Sequence, residues 1–368
     1  MRILFITASY LPTTNGVTYH VSSTAQALRK LGHKVFILAP SFPGYKDRDK
    51  DVIRYPSLPN PFVKNYPMGI PFLSLKKMRK LKIDVVHTHH PLIIGQAASQ
   101  IAEKLSKPLF FTAHTQYEQY LNYYFPHGYN TTSRILVNDL VNIASKSKKV
   151  ICPSANTEKR LSKHGIKNTV IINNGAEDFF FNKPPEKPFH PLTLVYTGRL
   201  DREKNPFELI KIARELKKLI PDFKFWILGS GLLFQKMQDQ TLRLGLENNI
   251  VFTGIVDRKL IPEIYKSVHL FITPSLSEVM PISILEAMAC GVPTLSLKNS
   301  GLEEIVINGK SGYVCERNPR KIAEKINEIT KDKESYFRLS QETYEYALNF
   351  STKATAQKLF DLYSEFKK

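Results

Sequence analysis

The chain is poor in cysteine, with three in 368 residues, and it has a single tryptophan. Cys152, Cys290 and Cys315 are odd in number and far apart, which argues against a disulfide framework or a cysteine zinc cluster and suits a reducing cytosol. Long apolar runs are also missing. None approaches the roughly 20 consecutive apolar residues of a membrane-spanning helix, because charge, proline or a turn residue interrupts each one. The chain opens on a strand-like run at 2–9, with no basic segment leading into an apolar stretch and a cleavage site, which argues against secretion. Short repeats and low-complexity tracts are absent. Acidic residues are scarce, 33 against 52 lysines and arginines, for a formal net charge of +19. The shortage is local. Residues 1–185 hold 25 basic against 10 acidic side chains, a net of +15, whereas residues 186–368 hold 27 against 23, a net of +4. Such a bias implies an anionic partner for the first half: a membrane surface, nucleic acid or an acidic substrate. No recognition helix, zinc finger or RNP-like aromatic motif speaks for nucleic acid, so none is expected.

What is present is core-forming material, 42% hydrophobic over a length that fits two α/β domains better than one. Short β-branched runs alternate with helical patterns. The runs at 2–9, 34–39, 84–87, 109–113 and 149–153, with a helix over 21–31, have the βαβ rhythm of a parallel sheet. After a proline-rich stretch at 183–191, the candidate interdomain linker, the rhythm restarts, with strands at 192–197, 224–228, 250–253 and 270–273 and a helix at 206–219. The expected division is a first domain over 1–185 and a second domain over 186–351. A separate amphipathic helix begins near Thr352 and runs to the end of the chain.

Ligands of parallel α/β sheets bind beyond the carboxyl ends of the strands, so the loops after strands carry the functional reading. The first strand runs into a loop whose helix opens near Gly16, where backbone amides and the helix dipole favour an anion. A glycine serving only the turn remains open there. In the second half, Gly198 opens a loop holding Arg199 and Lys204. This pair suits a diphosphate, one as a planar fork and the other as a point charge, although solvated loop charges remain open for each alone. A second glycine loop at Gly229 and Gly231 follows the next strand. The most specific segment runs from Glu278 to Pro293. Pro281 suits the start of a helix ending at Gly291, with Ile282 in its first turn, Glu278 just before it and Glu286 in its second turn. Carboxylates at a helix mouth grip sugar or ribose hydroxyls while the helix N-terminus receives phosphate.

Carried by these motifs, nearly the whole chain resembles the retaining GT-B glycosyltransferases of family 4. The resemblance implies an α/β GT-B fold of two Rossmann-like parallel-sheet domains facing across a cleft, with the final helix, 352–368, crossing back to the first. It implies Glu278 at the transferred sugar, Glu286 at the ribose, Arg199 and Lys204 at the donor diphosphate, and Gly16, Gly198, Gly229, Pro281 and Ile282 on the donor side. One departure stands out: family members usually have a glycine shortly after the first carboxylate, where this chain has Val279 and Met280.

The first half adds His87, His89 and His90 after one strand and His114, Tyr117, Glu118 and Tyr120 after another. Four histidines near one sheet edge raise a metal site. None is expected, because no pair has i,i+4 spacing and no Asp-x-Asp element supplies hard oxygen ligands. The resemblance places His114 at the transferred sugar and implies no obligatory metal or other cofactor, while His87 and its neighbours read as hydrogen-bonded strand-end residues. The pattern from His114 to Tyr120 is similar to bacterial diacylglycerol glucosyltransferases, which implies UDP-glucose as donor and diacylglycerol as acceptor. A physical clue points the same way. Residues 61–82 hold six basic and no acidic side chains, among them Lys76, Lys77, Arg79 and Lys80, interleaved with Phe, Leu and Met, as in an interfacial anchor. An amphipathic helix covering its own domain remains open for 73–82. The expectation is thus a retaining hexosyltransferase peripheral to the inner face of the plasma membrane, with no stable protein partner. The alternatives are a phosphatidylinositol or polysaccharide acceptor with GDP-mannose as donor, or an epimerase on the same scaffold.

Overall fold

The structure, a computed structural model, describes residues 1–60, 67–71, 74–114 and 129–367. The chain divides into two compact units, Met1–Gly175 with Thr352–Lys368, and Ala176–Ser351.

In the first unit a parallel sheet is built from β1 (Arg2–Ile6), β2 (Lys34–Pro40) and β3 (Val52–Tyr55) on one side, and β6 (Val85–Thr88), β7 (Leu109–Thr112), β8 (Lys149–Cys152) and β9 (Thr169–Ile171) on the other. Its order is β3-β2-β1-β6-β7-β8-β9, and a small antiparallel pair, β4 (Ser57–Leu58) and β5 (Met68–Gly69), stands apart. Successive strand residues point to opposite faces, so both faces of these apolar runs are buried. Leu4, Ile6, Val86 and Phe111 pack with Ile94, Ala98 and Ile101 of helix Leu92–Leu105. Their neighbours Ile3, Phe5, Val85 and Phe110 pack with Val21 and Leu28 of helix Gly16–Lys30.

That second face is completed by the end of the chain. Helix Thr352–Glu365 sends Ala356, Leu359, Leu362 and Tyr363 into the same core. Its first turn is tied down by Thr352 Oγ1 donating to the Gly175 carbonyl at 3.2 Å and Thr355 Oγ1 to that of Asn173 at 2.8 Å. The expected return of the final helix to the first unit is what the fold contains.

The second unit repeats the plan with β10 (Leu192–Thr197), β11 (Phe223–Leu228), β12 (Ile250–Gly254), β13 (Leu270–Thr273), β14 (Thr294–Leu297) and β15 (Gly312–Cys315), in the parallel order β12-β11-β10-β13-β14-β15. This is the doubly wound order of dinucleotide-binding folds. Leu194, Tyr196, Phe225 and Ile227 face helices Phe207–Lys217 and Pro319–Lys331, while Val195 and Phe271 face helix Ile282–Ala289. Strands β14 and β15 carry no expectation from sequence. The proline-rich stretch at 183–191, read as a linker, is instead built into this unit. Lys187 Nζ is buried and donates to the Val268 carbonyl at 2.7 Å, and a Cβ on Gly291 would lie 2.6 Å from Pro184.

Candidate functional site

In the second unit the strand order reverses between β10 and β13, and the loops beyond their carboxyl ends flank the crevice where such sheets take ligands. The loop after β10 is fixed by the one after β11. Gly198 N donates to the Leu228 carbonyl and Leu200 N to the Ser230 carbonyl, each at 3.0 Å. Gly229 has φ +132°, and a Cβ there would lie 2.0 Å from the Gly198 carbonyl oxygen; one on Gly231 would lie 2.6 Å from Leu200. These glycines serve the close approach of two protein loops. Gly229→Ala should cost about 3 kcal/mol of stability in urea unfolding, through both strain and overlap. Gly245→Ala, at φ +63° with nothing within 4 Å of the new Cβ, should cost about 1 kcal/mol.

The two loop cations are already engaged. Arg199 pairs with Glu203 at 2.5 Å and with Asp201 at 3.2 Å. A short 3-10 turn, Arg202–Lys204, followed by Asn205 at φ +48°, carries Lys204 across the reversal point, where Nζ meets Glu278 Oε1 at 2.7 Å. Glu278 is 9% exposed, and its amide donates to the Ser300 carbonyl at 2.7 Å. Sequence reasoning put Lys204 and Glu278 in one site without pairing them. Nearby in the chain, the hydroxyls of Ser275 and Ser300 are buried with no partner among the described residues.

Pro281 is the N-cap of helix Ile282–Ala289 rather than a residue of its first turn. The helix ends in a Schellman pattern, Val292 N to the Ala287 carbonyl and Gly291 N to that of Met288, with Gly291 at φ +69°. Met280 is 3% exposed and packs in the core with Ile284, which pins the segment between Glu278 and the helix.

Glu286 is buried on that helix at 2% exposure. Its partner is Arg258, which also bonds Glu177 through Nε at 2.9 Å and Nη2 at 2.7 Å and lies over the Phe180 ring at 5.1 Å. Burial pushes the Glu286 carboxyl up to about 7, against the pull of Arg258. Sequence reasoning missed Arg258 and Glu177. They stand 81 positions apart, Glu177 just before one short 3-10 turn and Arg258 at the start of another, with no motif of their own.

In the first unit the order reverses between β1 and β6. Asn15 caps helix Gly16–Lys30, accepting from Thr18 N at 2.8 Å while its amide donates to Ser9 Oγ at 2.7 Å. Gly16 is the first helical residue, and nothing lies within 4 Å of a Cβ built on it. His87 is satisfied on both ring nitrogens, by Tyr363 Oη at 2.6 Å and Thr112 Oγ1 at 2.7 Å. His90 Nδ1 accepts from Ala8 N at 3.1 Å. Both behave as hydrogen-bonded strand-end residues. His89 and His114 differ: they meet ring to ring, Nδ1 to Nε2 at 2.9 Å, and His20 of the first helix stacks edgewise on His114. Burial holds all of these imidazoles neutral, His20 and His90 down to about 4, His87 to about 3 and the other two well below the usual value.

The basic segment forms helix Leu75–Lys80, capped by Ser74. Lys76, Lys77, Arg79 and Lys80 are exposed, whereas Met78 is buried at 1% in its own core. The helix thus covers its domain with its apolar side chain and presents charge alone, so the expected insertion of methionine into lipid does not extend to Met78. Residues 61–66, Phe72 and Leu73 of that segment, and Tyr117, Glu118 and Tyr120, lie outside the described residues. No helix among the described residues is long and apolar enough to cross a membrane.

Comparison with known proteins adds the following. Residues 14–178 match the family profile described as Glycosyltransferase Family 4, and residues 177–346 match the one described as Glycosyl transferases group 1. The chain is 26% identical to an alpha-monoglucosyldiacylglycerol synthase of Streptococcus pneumoniae, over 83% of this chain and 73% of that one. It is 24% identical to a GDP-mannose-dependent alpha-mannosyltransferase of Corynebacterium glutamicum, over 86% and 77%. Among solved structures, Anabaena Alr3699/HepE in complex with UDP and glucose superimposes with a TM-score of 0.76 at 19% identity, over 99% of this chain and 100% of that one.

Proposed function

This chain belongs to the group 1 and family 4 glycosyltransferases, GT-B enzymes that use nucleotide sugars, and from that premise we propose that it is a retaining enzyme moving glucose from UDP-glucose to diacylglycerol at an anionic membrane surface. The observation that carries the donor half is the Lys204–Glu278 ion pair across the strand-order reversal of the second unit, beside Arg199 and the first turn of helix Ile282–Ala289. As the bond from the anomeric carbon to the diphosphate breaks, negative charge gathers on the departing phosphate oxygen. Arg199, Lys204 and the first-turn amides, which have no intrahelical partner, are fixed dipoles and charges aimed at it. Lys204 then exchanges its bond to Glu278 for one to phosphate, which leaves that carboxylate to accept from sugar hydroxyls. Glu286, held by Arg258, takes the ribose hydroxyls and Ile282 offers a backbone amide, while Gly198, whose own amide is bonded to the Leu228 carbonyl, holds the donor-side loop. His114 and Gly16 keep the roles that the family resemblance implies.

The lipid half rests on the synthase relatives and on the exposed Lys76, Lys77, Arg79 and Lys80. Near an anionic leaflet each cation contributes about 1 kcal/mol, so replacing all four by glutamine should weaken partitioning onto anionic vesicles by roughly 10²–10³-fold. Transfer of radiolabel from UDP-glucose, with GDP-mannose in parallel, to diacylglycerol in vesicles with and without phosphatidylglycerol tests the whole reading. The expected product is a glucolipid whose formation depends on the anionic lipid. Label from GDP-mannose would favour the reading suggested by the mannosyltransferase relatives, and donor cleavage with no glycolipid would discard the lipid acceptor.

A further inference from the structure

The loop after β12 sends Arg258 between two carboxylates, and we propose that one of them, Glu177, is a positioning residue for nucleotide recognition. Acting through Arg258, it leaves one oxygen of Glu286 open to the ribose hydroxyls and so sets the preference of the site for a ribonucleotide over a deoxyribonucleotide, a role that rests on the assignment of Glu286 to the ribose. Glu177 accepts from Arg258 Nε at 2.9 Å and from Nη2 at 2.7 Å on the single oxygen Oε2, which fixes the plane of the guanidinium. The centre of the Phe180 ring lies 5.1 Å from its central carbon. The same Nη2 also meets Glu286 Oε1. Held in that plane, Arg258 engages one oxygen of Glu286 and leaves Oε2 to the nucleotide.

The fold builds this arrangement rather than leaving it to two mobile side chains. One short turn, Asp178–Phe180, supplies both supports of Arg258, with Glu177 at its N-cap and Phe180 at its end. The residue before Glu177 is pinned, Ala176 N donating to the Phe350 carbonyl at 2.8 Å. The turn is also tied to the end of the helix that carries Glu286: Cys290 Sγ donates to the Phe180 carbonyl at 3.1 Å, and Asn182 N to that of Ala289 at 3.2 Å. Both carboxylates and the ring are therefore fixed before a nucleotide arrives. Guanidinium and carboxylate favour a fork of two parallel bonds. An Arg258 released from Glu177 turns onto both oxygens of Glu286 and competes with the ribose for them. Charge couples the same three groups, since Arg258 pulls the buried Glu286 carboxyl down and Glu177 pushes it up.

The test is calorimetric titration of the full-length protein with UDP and with 2′,3′-dideoxyuridine diphosphate, and with the corresponding guanosine pair in parallel. It is run at pH 8, where Glu286, pushed up to about 7, is ionised. Wild type should bind the ribonucleotide about 10–100-fold more tightly than its dideoxy analogue, the range for hydroxyls that lose a charged acceptor. Glu286→Gln should remove most of that ratio. Glu177→Gln should shrink it by about three- to tenfold while binding the dideoxy nucleotide as wild type does. Arg258 and Glu286 remain paired in this variant, so it should stay folded. Glu177→Asp, which keeps a carboxylate, should recover part of the ratio. Equal affinity for the two nucleotides in wild type, or a wild-type ratio in Glu286→Gln, overturns the ribose assignment and this proposal with it. A ratio lost in Glu286→Gln but kept in Glu177→Gln overturns this proposal alone. So does equal weakening of both nucleotides in Glu177→Gln, the mark of a merely structural role.

Discussion

Lys204→Ala should lower kcat by about 10²–10³-fold at saturating donor, the loss typical of removing one preorganised group that faces developing charge. Its effect on folding should be small. Lys204 is 22% exposed, and an ion pair open to solvent on one side contributes about 1 kcal/mol or less. The two effects therefore separate, which is what makes the variant informative. Were Lys204 only a solvated loop charge paired with Glu278, its loss would change stability and turnover together and little. The structure sharpens the expectation, because the pair exists already and phosphate must displace a carboxylate from the ammonium. Glu278→Gln removes that competitor. It should tighten binding of UDP alone while lowering kcat, since the neutral amide no longer accepts from the sugar hydroxyls as a carboxylate does. Calorimetric titration of UDP beside steady-state turnover measures both quantities. Wild-type turnover in Lys204→Ala would sink the diphosphate assignment.

Arg258→Ala should be the most destabilising single charge change in the second unit, at about 3–5 kcal/mol in urea unfolding, because it strands two carboxylates, one of them fully buried. Arg258 bridges Glu177 and Glu286 and covers the Phe180 ring, so apolar contact is lost as well. Adding Glu286→Gln to the same chain should recover a large part of the loss, and the double-mutant cycle isolates the pair from the rest. The pH dependence gives a second check. Burial raises the folded-state Glu286 carboxyl from 4.5 to about 7, so the folded protein binds a proton that the unfolded chain has released between those values. Its contribution is accordingly most favourable below about 4.5 and declines as pH rises toward 7. The buried histidines act in the opposite sense, since their folded values are lowered and their contribution is lost on acidification. The informative quantity is therefore the stability of Glu286→Gln minus that of wild type, which should grow from pH 5 to pH 8. A flat difference would mean that Arg258 holds Glu286 ionised throughout.

Much of the fold was legible because strands and helices announce themselves locally. The runs Leu192–Thr197 and Leu270–Thr273 alternate core-facing residues between two buried faces, and the final helix was set off by the break before Thr352. Strand β14 was not legible: Thr294–Leu297 is short and follows directly on a helix terminus, so its apolar residues read as part of the segment before it. The proline-rich stretch misled for a related reason. Proline marks a segment that leaves regular structure, and only the packing of Pro184 against Gly291 and of Lys187 on Val268 shows that this one is bound within a unit.

The sequence by itself determined the class of the protein and the chemistry available to it. Two βαβ series, a strand-end loop with Arg199 and Lys204, and two carboxylates flanking the start of a short helix are properties of residue type and spacing, and spacing along one element survives folding. Tertiary structure decided the partners. It set Lys204 on Glu278 across the strand-order reversal, gave Arg258 to Glu286, assigned Gly229 to the approach of a neighbouring loop, and gathered His20, His89 and His114 from three elements. These are contacts between residues far apart in the chain, and their geometry follows from the sheet order and from which faces are buried, neither of which any local pattern encodes.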